Sequence, residues 1–202
     1  MKVNNYKVKK CLAIITILFF IPKTYSSSNT NLKESFHCIR YFSYYEKKYK
    51  IPRDLLYAIS IHETGKPHSY NLSIVWPWTF RIDGKAYYFN DGKTGLKIIK
   101  KQISKEVVNI DIGCMQINFK YHNKNFKSIA HMINPKYNIE YAAQFLFSKY
   151  KKSGNWKQAV SQYHSHTVSL GNKYAEKIFN VHKNIRSYKK KFFEAYKKQN
   201  RN

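Results

Sequence analysis

The stretch IPRDLLYAISIHETG, residues 51–65, decides how the chain is read. Leu56, Ile59 and Glu63 fall at i, i+3 and i+7, so they share one face of a helix that is otherwise apolar. Pro52 suits the first turn of that helix, Gly65 its stop, and Pro67 prevents it from continuing. A carboxylate on an apolar stripe is costly unless it is paired or neutral. A helix C-terminus also disfavours negative charge. Both effects raise a carboxyl pKa toward the range that a general acid needs near neutral pH. Glu63 is therefore the candidate catalytic group. Pairing with a lysine, or capping a neighbouring helix, is the plain structural alternative.

Outward from this helix, the pattern is mainly helical. Cys38, Phe42, Tyr45 and Tyr49 are spaced for a helix over 29–49. In VWPWTFRIDGKAYYFN (75–90), Asp83-Gly84 predicts a two-residue hairpin turn between strands at 79–82 and 85–89. Helical spacing returns at Leu96, Ile99, Ile103 and Val107, and NIDIGCMQIN (109–118) reads as extended or irregular with Gly113 its flexible point. Asn134-Pro135 opens another helix that Ser153-Gly154 ends, and Asn155 caps the next. Tyr174, Ile178, Val181, Ile185, Tyr188, Phe192 and Ala195 predict one long amphipathic C-terminal helix with lysines mostly on its other face. That helix packs on the domain, or it binds a wall or a partner. The expected fold class is mainly α (α+β), with an inserted β-hairpin.

The N-terminus has its own logic. Lys2, Lys7, Lys9 and Lys10 precede the uncharged run CLAIITILFFI (11–21), and Ser26-Ser27-Ser28 follow. This predicts a secretory signal peptide over 1–26, cleaved after Ser26 or Ser28. The run is too short to span a bilayer, which needs roughly 20 apolar residues, so no stable membrane span is expected after cleavage. The expected organisation is a signal peptide, a domain over 27–170 and a basic helical extension over 171–202. Loss of the leader removes five lysines and no acids, and lowers the net charge from +26 to +21. So basic an exported protein accumulates on anionic surfaces. Export, and the lack of a zinc-finger, RRM or helix-turn-helix pattern, argue against nucleic acid as the partner.

Metal catalysis is not expected. His62-Glu63 begins H-E-x-x-H, but Lys66 stands where the second histidine belongs. His164-Ser165-His166 is not a standard ligand spacing on a helix, and no cofactor is implied. Cleavage leaves Cys38 and Cys114, an even pair in an oxidising compartment, and a disulfide between them is expected.

Three segments stand out: HETG (62–65), GCMQIN (113–118) and AVSQYHS (159–165). In this order they resemble the transglycosylase SLT family, lysozyme-fold lytic transglycosylases that cut peptidoglycan, over roughly residues 33–170. The hairpin insert and the YHS ending are similar to the alphaproteobacterial branch that accompanies type IV secretion. The resemblance implies that Glu63 is the catalytic glutamate. It implies that Gly113, Met115 and Gln116 line the sugar groove, with Cys114 replacing a leucine, and that Tyr163 hydrogen-bonds the catalytic carboxylate. Thr64 stands where the family has serine, and its hydroxyl can serve in substrate binding. His164 stands where the family has asparagine, a substrate contact. Trp76 and Trp78 fit either sugar stacking or the core of the hairpin.

The implied reaction needs a single carboxylate. It cleaves the MurNAc–GlcNAc bond and leaves 1,6-anhydro-MurNAc, which places the protein in the periplasm on the cell wall, with secretion components as further partners. The alternatives are a lysozyme-like hydrolase, an inactive peptidoglycan-binding secretion scaffold and a cationic membrane-active protein.

Overall fold

The computed structural model describes residues 32–69 and 71–201. The expected leader and its cleavage site lie outside them. After a short 3-10 turn, Leu32–Ser35, helix α1 (Phe36–Lys48) buries Cys38, Phe42 and Tyr45 on its periodic face. Helix α2 (Leu55–Thr64) is buried on almost every side, as befits a central helix. It begins at Leu55 and not at Pro52, because Asp54 turns into the left-handed region at φ 65°.

The start of α2 is held by Glu46 of α1, only 4% exposed, whose carboxyl oxygens accept from the Asp54 N–H at 2.9 Å and the Leu56 N–H at 3.0 Å. Burial pushes Glu46 up to about 7 against these two backbone donors, which favour its charged form. Glu46→Ala strands both amides and should lower unfolding stability by about 2 kcal/mol. Glu46→Gln should cost less, and an unchanged urea midpoint in the alanine variant would refute the capping role.

Strands β1 (Lys66–His68) and β2 (Leu72–Ile74) form a small antiparallel pair that the sequence pattern did not reveal. The expected hairpin is β3 (Thr79–Ile82) and β4 (Lys85–Tyr88). Its turn has φ 45° at Asp83 and 83° at Gly84, the two positive values that an Asp-Gly turn supplies. Helix α3 (Gly92–Ile103) is capped by Asp91, which accepts from the Thr94 N–H at 2.8 Å. It ends before Val107, since Glu106 turns left-handed at φ 63°.

Strands β5 (Ile110–Ile112) and β6 (Ile117–Asn118) complete an antiparallel sheet of order β4-β3-β5-β6. Between β5 and β6, residues Gly113–Met115 make a tight 3-10 turn. Gly113 has φ +75°, and a Cβ there would crowd the Asn138 side chain at 3.2 Å. After short helices α4 (Phe119–His122) and α5 (Ile129–Ile133), α6 (Pro135–Ser153) supplies that asparagine. Fully buried, Asn138 accepts from the Met115 N–H and donates to the Ile112 and Met132 carbonyls, which fastens the turn to α6. Cys38 and Cys114 are joined in a disulfide, so α1 grips the same turn.

Helix α7 (Trp156–His164) is capped by Asn155, which accepts from the Gln158 N–H. The expected single C-terminal helix is two, α8 (Val168–Lys183) and α9 (Ile185–Gln199), which meet at Asn184. The heptad-like spacing carries straight through this break, because both helices turn their apolar face inward. Tyr174, Ala175 and Ile178 of α8 lie in the main core, so packing does not end at residue 170. Phe192 and Ala195 of α9 pack with Leu32, Leu72, Ile74 and Trp76 in a second, smaller cluster. The whole is mainly α with a small antiparallel sheet.

Candidate active site

Glu63 lies one residue before the end of α2 and lines a cavity of about 350 Å³. The residue as a whole is half-buried. Tyr174 of α8 donates its phenol O–H to Glu63 Oε1 at 2.5 Å. Burial pushes Glu63 up to about 7; the Tyr174 hydrogen bond and Arg81 oppose this, and Asp111 adds to it. The shift has the direction expected for a carboxyl on an apolar stripe, with burial its first cause. Tyr174 is itself pushed well above the ordinary tyrosine range, by burial first and then by Glu63, so it remains a hydrogen-bond donor.

The position of Tyr174 follows from a close helix crossing. At Gly171 a Cβ would come within 2.7 Å of the Ser161 carbonyl oxygen, so only glycine lets α8 lie this near α7. One turn further along α8, the Tyr174 ring stacks on His164 with centroids 4.2 Å apart and planes 3° from parallel. His62 meets the same ring edge-on at 5.3 Å. The phenol is therefore held between two imidazoles while it addresses the carboxylate. Burial pushes His164 down, which favours a neutral imidazole.

A second carboxylate lines the same cavity. Asp111 on β5 pairs in register with Arg81 on β3, which brings both side chains to one wall. Asn118 donates to Asp111 Oδ1 at 2.7 Å. Burial raises the Asp111 pKa, opposed by Asn118, Arg81 and His164.

The other expected site residues divide sharply. Gln116, Tyr163 and His164 line the cavity with Glu63. Gln116, at φ 45°, donates from Nε2 to the Thr79 and Gly113 carbonyls, and its buried Oε1 has no donor among the described residues. Tyr163 does not hold Glu63: its O–H donates to the Met115 carbonyl at 3.0 Å, and Tyr174 makes the bond expected of it. Met115 and Gly113 are buried in the turn, and their side of the turn supports the wall and does not line it. Thr64 is likewise fully buried. Its hydroxyl donates to the Ser60 carbonyl and accepts from the Trp76 N–H, so it ties α2 to the strand region and is not available to a sugar.

Trp76 and Trp78 resolve to packing. Trp76, 2% exposed, donates Nε1–H to the Phe89 carbonyl, and Trp78 donates to Glu34. Neither lines the cavity; its aromatic walls are Tyr121, His122, Phe145, Tyr163 and Tyr174. Tyr121, 72% exposed, stands at its edge.

The family model for the transglycosylase SLT domain matches residues 40–185. The chain belongs to that family. No curated protein and no solved structure matches it. The matched span of this SLT domain takes in Glu63, the 113–116 turn, Tyr163, His164 and also Tyr174. Tyr174, Asp111, Arg81 and Asn138 were not singled out by the sequence pattern. The match ending at 185, beyond the last of the three short motifs, accords with α8 being part of the SLT domain.

Proposed function

We propose that this SLT domain is a peptidoglycan lytic transglycosylase that cleaves the β-1,4 MurNAc–GlcNAc bond. The observation that carries the reading is Glu63. Its carboxyl, with the pKa raised to about 7, accepts from a tyrosine and lines a cavity within the family-matched span. Such a group can act as acid and then as base at the same pH. Protonated Glu63 gives its proton to the glycosidic oxygen, and the bond from that oxygen to MurNAc C1 breaks. The resulting carboxylate takes the proton of the MurNAc C6 hydroxyl, whose oxygen bonds to C1. The products are a GlcNAc hydroxyl and a 1,6-anhydro-MurNAc end, with no water consumed and Glu63 restored.

The cavity offers matching contacts. Gln116 Oε1 can accept from a sugar hydroxyl or an acetamido N–H, and Tyr121 offers an exposed ring face for a sugar. Tyr174 steadies the carboxylate phase of Glu63. Tyr174→Phe removes a bond that favours the charged form. The Glu63 pKa should therefore rise further, the pH optimum should move up, and kcat should fall about tenfold at neutrality. An unshifted pH–kcat profile would refute this role.

Asp111 favours a second reading. Two carboxylates at one cavity are what an ordinary glycosidase uses, so a lysozyme-like hydrolysis stands as the rival. Mass spectrometry of peptidoglycan digested by the mature protein separates them. Anhydro-muropeptides support the transglycosylase, reducing ends support the hydrolase, and no products at all would favour an inactive wall-binding scaffold.

The same reading places the protein on the periplasmic face of the wall. Among the described residues no helix is long and apolar enough to cross a membrane. The proposal extends to opening the wall for a secretion apparatus. Assembly that fails without the protein, and is restored by wild type but not by Glu63→Gln, would support that extension; rescue by both would remove it.

A further inference from the structure

A second concavity, of about 710 Å³, lies at the other end of α2, where that helix begins and α8 gives way to α9. It is lined by Arg53, Asp54, His182, Lys183, Ile185, Arg186 and Lys189. Four permanent cations thus face one carboxylate, and that carboxylate is engaged. Lys189 Nζ lies 2.9 Å from Asp54 Oδ1, whereas Arg53 Nε reaches Asp54 Oδ2 only at 3.8 Å. Lys183 and Arg186 have no ion-pair partner among the described residues.

The elements that carry these cations are tied together, while the side chains of Arg53, Lys183 and Arg186 stand exposed to solvent. His182 donates from Nε2 to the Arg53 carbonyl at 2.8 Å, which joins the end of α8 to the entry of α2. Lys189 joins α9 to the same entry. Helix α9 starts here with no acidic residue in its first turn and no side-chain cap from Asn184. Its positive end lies beside Arg186, and the negative end of α8, which meets it at Asn184, offsets part of that charge. Four cations around one carboxylate leave an excess of positive charge, and a further anion in the concavity relieves their repulsion.

We propose that this concavity binds a phosphate group. Arginine forks from two directions suit the several oxygens of a tetrahedral, multiply charged anion better than a single flat carboxylate. Glu63 lies eight residues along α2 from Leu55, so about 12 Å of helix separates it from this site. A phosphate-bearing surface held here leaves the cavity at Glu63 open to a glycan strand. The phosphate can come from a lipid headgroup or from a small soluble phosphate.

The test uses the mature protein and two charge-matched double variants. Lys183→Ala/Arg186→Ala removes two cations from the concavity. Lys191→Ala/Lys197→Ala removes two from the exposed flank of the same tail. Inorganic phosphate is titrated while the arginine side-chain NMR signals are followed, and sedimentation is measured with phosphatidylglycerol and with phosphatidylcholine vesicles. The expected result is saturable binding that weakens about tenfold or more in the first variant and little in the second. Binding of anionic vesicles but not of free phosphate would identify the headgroup as the source; the reverse would identify a soluble phosphate. Equal weakening in both variants would mean diffuse charge attraction and would overturn the site. So would the absence of saturable binding to either probe. Muropeptide release is unaffected by the first variant on soluble glycan, so this result and the Glu63 chemistry can fail separately.

Discussion

Glu63→Gln should abolish glycan cleavage and leave a protein that is folded and, above neutral pH, more stable than wild type. Glutamine keeps the shape and can still accept from Tyr174, but it has no proton to give and no charge to receive one. Loss of a positioned acid and base is worth about a thousandfold or more in kcat. The stability change follows from linkage. The Glu63 pKa is about 7 in the folded protein against an ordinary 4.5. Between those values the unfolded chain has already lost the proton that the folded protein keeps. Folding stability therefore falls as pH rises through this window, and the full cost stands above pH 7, on the order of 3 kcal/mol. Glu46 contributes in the same direction. Removing the carboxyl at position 63 should flatten part of this fall. Urea midpoints for both proteins at pH 5 and pH 8, beside muropeptide analysis, check the claim. A variant that still releases muropeptides would end the role of Glu63, and one that loses stability more steeply with pH than wild type would contradict the burial argument.

Loss of the Cys38–Cys114 bond should have the largest effect on stability. The bond spans 76 residues. A loop of that size restricts the unfolded chain by about 4 kcal/mol in the loop-entropy picture. The effect should reach the cavity as well. The carbonyl of Cys114 accepts from Ser60 Oγ at 2.7 Å, so the residue joins α1, α2 and the turn that ends at Gln116. Cys38→Ser/Cys114→Ser should unfold at markedly lower urea and cleave glycan more weakly even where it remains folded. The wild-type protein under strong reductant should behave likewise. Equal midpoints for oxidised and reduced protein would show that the bond contributes nothing.

Much of this fold is legible in the sequence, because helix spacing and the Asp-Gly turn are local signals. Glu63 is legible for a related reason: a carboxylate on an apolar stripe is conspicuous within fifteen residues. Tyr174 is not. It sits on the same periodic face as Ile178 and Val181, and nothing local separates a tyrosine that packs from one that also donates to a carboxylate 111 residues away. Asp111 became part of the cavity through strand register with Arg81, which no linear spacing reveals. Thr64, Gly113 and Met115 illustrate the opposite error. Similarity of short motifs marks the neighbourhood of a site, but which way each side chain turns depends on Asn138, Trp76 and the core behind them. The tryptophans fit two roles in the sequence, since a large aromatic near a hairpin has the same appearance whether it meets a sugar or, as here, packs inside.

The crossing at Gly171 has a consequence in time. Glu63 is synthesised early, while its phenol partner arrives more than a hundred residues later. Until α8 has threaded past α7, Glu63 stands without the bond that steadies its anion. A nascent or truncated chain ending before residue 174 would carry every short motif of its family and still lack a finished site. The hydrogen bond to the Glu63 carboxyl is thus completed only when α8 has docked against α7.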